Sequence, residues 1–170
     1  VVPLLVCQVE DKVSEDRIIQ LCHKLMDNIP DLEGKVSFAH NISSFSGVVE
    51  SHNVIVHKVD PSDVQDDTRV KVFFLKESAT AGWDCPRAEV FFSLRPHSDS
   101  DYIIQMIGRV LRTPMARRIE GMDALNSVSV ILPHYDIEKV EGINYRLQHG
   151  GIDGNYEDGD NFLETALNPV

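Results

Sequence analysis

The apolar run from Pro3 to Val9 is continuous rather than alternating, the pattern of a strand buried on both faces of a parallel sheet. A helix follows. Ser14 can cap it, Glu15 and Asp16 fall in its first turn where the helix dipole favours acid, and Pro30 helps to end it. Between them Ile18, Cys22, Leu25 and Ile29 recur at helical spacing, which predicts one face turned to a core. Apolar, β-branched or aromatic stretches predict further strands at 35–39, 54–59, 70–75, 88–94 and 127–132. Helical patterns are expected at 99–112 and at about 137–148. Asp60-Pro61-Ser62-Asp63 with Gln65-Asp66-Asp67 predicts an acidic turn or loop. Alternation of strand and helix implies a doubly wound α/β domain with a mostly parallel sheet flanked by helices. That domain is expected over 1–150, and 151–170, rich in Gly, Asn and acid, is expected to be a flexible extension.

The helix predicted at 99–112 separates its residues by face. Ile103, Ile104, Ile107, Val110 and Leu111 form an apolar stripe, while Gln105, Gly108, Arg109 and Arg112 recur at i, i+3, i+4 and i+7 beside it. Two guanidiniums three residues apart on one face, next to a glycine that permits close approach, make a cationic clamp suited to phosphate. An amphipathic surface helix with two solvated arginines has the same pattern. About twenty residues upstream stands Gly82-Trp83-Asp84-Cys85-Pro86, a tight, polar loop sequence between the strands predicted at 70–75 and 88–94.

Taken together and in this order, the two segments resemble known motifs. Gln-x-x-Gly-Arg-x-x-Arg, here Gln105 to Arg112, resembles motif VI of the superfamily 2 helicases and translocases. Gly82-Trp83-Asp84-Cys85-Pro86 resembles their motif V, in a variant similar to the restriction-type branch that includes the helicase subunits of type III restriction enzymes. The likeness is strongest over 70–114 and extends over about 3–135. It implies a RecA-like fold of the P-loop NTPase class, namely the second domain of a motor, and a set of roles. Arg109 and Arg112 would act as arginine fingers on the γ-phosphate of ATP bound to a first RecA-like domain. Gly82, Asp84, Gln105 and Gly108 would line the nucleotide. Lys76, Ser78 and Thr80 would lie near nucleic acid. Trp83 is expected to be a packing anchor and Cys85 a buried filler, since no base stands beside it.

Ligands of doubly wound sheets bind outside the carboxyl ends of the strands. Both motifs follow a predicted strand, so both are expected at that end. ATP with Mg²⁺ is the implied cofactor, but only in a complete motor. The sequence contains neither a Gly-x-x-x-x-Gly-Lys-Ser/Thr phosphate loop nor an Asp-Glu metal motif before motif V. The implied partners are therefore an N-terminal RecA-like domain of the same parent protein, nucleic acid with DNA as the expected kind, and a nuclease or methyltransferase subunit. No metal site of the chain's own is expected, because the seven histidines show no ligand spacing. A non-catalytic α/β interaction module derived from the same fold is the rival reading. A dinucleotide-binding domain is disfavoured by the absence of Gly-x-Gly-x-x-Gly.

Charge and cysteine content narrow this further. A formal charge of −11 opposes strong autonomous binding to nucleic acid. Its distribution is uneven: four arginines and no acids fall in 103–118, and five acids without a base in 151–170. A local basic patch on an acidic body suits a domain that handles phosphate beside a partner. Cys7, Cys22 and Cys85 are too few and too scattered for a disulfide framework, and no apolar run is long enough to span a membrane. A cytoplasmic domain cut from a longer chain is the expectation.

Overall fold

The computed structural model describes residues 2–76, 85–95 and 129–132; the helices expected at 99–112 and 137–148 and the extension at 151–170 lie outside them. In chain order the elements are β1 (Leu4–Gln8), α1 (Glu15–Asn28), β2 (Phe38–Asn41), β3 (Val48–Ser51), β4 (Val54–Lys58), α2 (Pro61–Val64), β5 (Val72–Leu75), β6 (Ala88–Ser93) and β7 (Ser129–Ile131). The strands form one seven-stranded sheet in the order β3-β4-β2-β5-β1-β6-β7. Every neighbouring pair is parallel except β3 with β4. This is a mostly parallel α/β sheet of the Rossmann-like kind.

The continuous apolar run at β1 has a direct structural reason, because both of its faces are covered. Leu4 and Val6 join one core with Ala39, Val64, Phe73, Leu75, Cys85 and Phe91. Cys7 and Val9 join the opposite core with Ile18, Cys22, Phe38, Val56, Val72 and Phe74. Phe38 stacks on Phe74 with ring centroids 6.3 Å apart and planes 15° from parallel. Each such aromatic, fully withdrawn from water, contributes about 1.5–3 kcal/mol before its ordering cost.

α1 begins as expected. Ser14 Oγ accepts the Arg17 N–H at 3.2 Å, with Glu15 and Asp16 in the first turn. Ile18 and Cys22 carry its buried stripe, whereas Ile29 is the C-cap, 40% exposed, its N–H donating to Leu25 O. Beyond α1, Gly34 lies against the β3–β4 turn: its carbonyl accepts the Ile55 N–H at 2.7 Å, and a Cβ there would run into the Asn53 carbonyl oxygen.

Three local expectations need correction. The strand expected at 35–39 starts later, at Phe38, because residues 33–37 form a turn in which Ser37 Oγ accepts the Glu33 N–H at 2.8 Å. The acidic loop contains a single helical turn, α2, capped by Asp60 and started by Pro61, which carries Val64 into the core. The antiparallel strand β3, not expected at all, closes one side of the sheet through a tight turn at His52 and Asn53, with His52 at φ 53°.

Candidate functional site

From β1 the chain runs to β2 and β4 on one side, returns through β5, and passes to β6 and β7 on the other. The strand order therefore reverses around β1, and the carboxyl ends of β5, β1 and β6 bound the crevice where such sheets bind ligands. The polar groups there are ordered. Gln8, the last residue of β1, is fully buried, and its Oε1 accepts the Ser93 hydroxyl at 2.8 Å. Ser93 Oγ in turn accepts the Arg95 backbone N–H at 3.3 Å. The Arg95 guanidinium reaches back across the crevice. Its Nη2 lies 2.7 and 2.8 Å from the two carboxylate oxygens of Asp11, and its Nη1 donates to the Lys76 carbonyl at 3.4 Å.

Lys76 is the predicted site residue that falls among the described ones, and it sits half-buried at the carboxyl end of β5, as expected. Ser78, Thr80, Gly82, Asp84, Gln105, Gly108, Arg109 and Arg112 lie outside the described residues, as does Trp83. Cys85 is buried, as predicted, in the core shared with Val64 and Val70. The position of this segment, however, differs from the expectation that both motifs sit at the carboxyl end. Cys85 and Pro86 precede β6, so the motif V sequence closes at the amino end of the sheet, where Leu4 N–H donates to Arg87 O at 2.7 Å. The chain from Lys76 to Cys85 thus starts at one end of the sheet and finishes at the other.

Arg87 holds this closing end in place. Only 2% exposed, it donates from Nε and Nη2 to Val64 O at 3.2 and 2.7 Å. Further bonds run from Nη2 to Asp67 O at 2.8 Å and Val70 O at 2.9 Å, and from Nη1 to Val2 O at 3.2 Å. Burial lowers its pKa, opposed by the nearby Cys85 and Asp67. The guanidinium joins α2, the loop after it and the start of β1 to the end of the motif V sequence.

No family model, curated protein or solved structure matches the chain. The site is therefore read from its own residues. Among the described residues no group of three or more His, Cys, Asp or Glu is placed to hold a metal ion, and no helix is long and apolar enough to cross a membrane. Burial pushes the Cys7 and Cys22 thiols up to about 12, so neither is a nucleophile at neutral pH. His40, fully buried at the end of β2, is held down to about 4, chiefly by desolvation and then by Lys58, against a raising contact from the Ser46 backbone.

Sequence reasoning did not single out Gln8, Asp11, Arg87 or Arg95. Gln8 had a signal: it is the polar interruption in the apolar run of β1, and a polar side chain in a strand covered on both faces needs a partner. Arg87 and Arg95, flanking β6, had none, because their partners come from segments distant in the chain.

Proposed function

We propose that this chain is the second RecA-like domain of an ATP-dependent helicase or nucleic-acid translocase, similar to the restriction-type branch of superfamily 2. The observation that carries the reading is the pairing of Gly82-Trp83-Asp84-Cys85-Pro86 with Gln105 to Arg112, in the family's order and spacing. The mostly parallel sheet supports it, since the two motifs follow β5 and β6, the strands on either side of β1. In this reading ATP with Mg²⁺ binds between this domain and a first RecA-like domain that supplies the phosphate loop and the metal ligands. Arg109 and Arg112 contribute planar, forked donors to the γ-phosphate and offset charge as it redistributes during transfer. Gln105, Gly108, Gly82 and Asp84 line the same cleft, and Lys76, Ser78 and Thr80 face nucleic acid, with DNA the favoured substrate. Cleft closure and opening then move the pair of domains along the strand.

The test is turnover in the full-length protein. By the sequence pattern each arginine occupies the polar stripe of its helix, so alanine there should change stability by no more than about 0.5 kcal/mol. Arg109→Ala or Arg112→Ala should lower ATP turnover by at least about a hundredfold with the thermal midpoint nearly unchanged. Lysine should rescue poorly, because it keeps the charge but not the fork. Near wild-type turnover in both alanine variants would favour a non-catalytic interaction module instead.

A further inference from the structure

We propose that Arg95 is a positioning residue that couples motif V to motif VI through Asp11 and the Lys76 carbonyl, a role that rests on the motor reading above. The reason begins with topology. β5 leads into motif V and β6 leads into the segment that carries motif VI, but the two strands are not neighbours, because β1 lies between them. Any direct link between the two lead-ins has to cross the end of β1.

Arg95 makes that crossing. It stands two residues past β6, and Nη1 reaches the carbonyl of Lys76, the first residue past β5. Its Nη2 is held by both oxygens of Asp11, which lies three residues past β1. One side chain therefore touches the outgoing chain of three consecutive strands. Only guanidinium has the reach and the divergent donors for this; an ammonium at the same position can satisfy Asp11 or the carbonyl, but not both in the same geometry.

Holding the sheet edge together does not require this link. The backbone ladder already joins the same strand ends, with Val9 N–H donating to Leu75 O at 2.9 Å and Leu94 N–H to Gln8 O at 2.8 Å. The Gln8–Ser93 hydrogen bond fixes the floor beneath. Asp11 is more than half exposed, and ion pairs so open to water contribute little to stability. What Arg95 adds is a side-chain connection that can break and re-form without disturbing the sheet. Such a discrete, two-position contact is the kind of element through which two sites bias one another.

The experiment measures, in the full-length protein, how strongly single-stranded and duplex DNA oligonucleotides stimulate ATP turnover. It compares Arg95→Gln, Asp11→Asn and Arg95→Lys with wild type, and Arg109→Ala serves as the control for the motor reading. Arg95→Gln and Asp11→Asn should each reduce the stimulation factor at least about fivefold, the lower range of coupling between sites. The KM for ATP should stay within about twofold if ground-state binding is untouched. Arg95→Lys should recover part of the stimulation, since it retains the Asp11 contact. Thermal midpoints should remain within about 3 °C of wild type. If Arg109→Ala abolishes turnover while the Arg95 and Asp11 variants are stimulated normally, the coupling role is wrong and the motor reading stands. If Arg109→Ala turns over normally, the motor reading itself fails. Loss of stimulation that tracks loss of thermal midpoint across the three variants would reduce Arg95 to a structural brace and overturn the proposal.

Discussion

Arg87 takes its hydrogen bonds from the main chain, and that decides what its replacement costs. The carbonyls of Val64 and Val70 point at a guanidinium that is almost wholly withdrawn from water. Arg87→Met fills much of the same volume but leaves those acceptors buried and unmet, at about 1–3 kcal/mol each. We expect a loss of at least about 3 kcal/mol in urea unfolding, with Arg87→Lys intermediate because an ammonium cannot reach every carbonyl. A loss below about 1 kcal/mol would show that water reaches these carbonyls and that the buried cation is dispensable. His40 gives the residue-scale pH dependence. Its unfolded value is 6.5 and its folded value about 4, so between those values the unfolded chain binds the extra proton. Stability from a neutral His40 is therefore complete above pH 6.5 and is lost as pH falls towards 4, at most about 3 kcal/mol by linkage. His40→Phe should flatten that part of the stability curve, and the imidazole resonance of His40 should titrate near 4. A resonance that titrates near 6.5 in the folded protein would remove the effect. Neither residue announces this behaviour in the sequence, since a histidine within a strand and an arginine before one look like ordinary polar positions.

At the level of elements, the sequence was readable wherever burial on two faces or a capped amphipathic stripe set the pattern. β1, β4, β5, β6 and α1 follow their apolar runs to within a residue or two. The failures have local causes. β2 starts at Phe38 because the Ser37 hydroxyl caps a turn, a hydrogen bond that hydrophobic pattern does not register. β3 escaped because its turn is His52-Asn53 rather than the Gly-containing pair that marks a tight hairpin; His52 adopts the positive φ without being glycine. The turn is also held from outside. Gly34 packs so closely on Asn53 that any side chain would press on backbone, with Met26 Sδ 3.3 Å from the same position. Gly34→Ala should therefore displace the hairpin and cost about 1–3 kcal/mol, the range for overpacking a filled site. Differential hydrogen exchange checks this. Faster exchange should appear at Ile55, whose N–H bonds Gly34 O, and a variant as stable and protected as wild type would mean that the hairpin moves aside freely.

For the whole molecule, the motifs could be read from sequence but the crevice could not. Strand order is not a property of any one segment, so nothing local reveals that β1 separates β5 from β6 or that Asp11 and Lys76 meet Arg95. The same distinction governs what the domain should do alone. The chain carries the motif VI arginines but no phosphate loop, and its formal charge of −11 repels polyanions except near a local basic patch. One wall of a nucleotide site, facing water, offers its guanidiniums in competition with solvent and counterions, where charge–charge attraction is weak. Calorimetric titration of the isolated chain with ATP and magnesium should accordingly give at best about millimolar affinity, equivalent to about 4 kcal/mol of binding free energy. Raising the salt concentration should weaken even that, because exposed charges are screened within about 10 Å at 0.1 M. Addition of a first RecA-like domain should restore tight binding, since the phosphate cradle then supplies the contacts missing from this side. Submicromolar affinity for the isolated chain, insensitive to salt, would mean that it contains a complete nucleotide site of another kind and that the two-domain cleft is the wrong model.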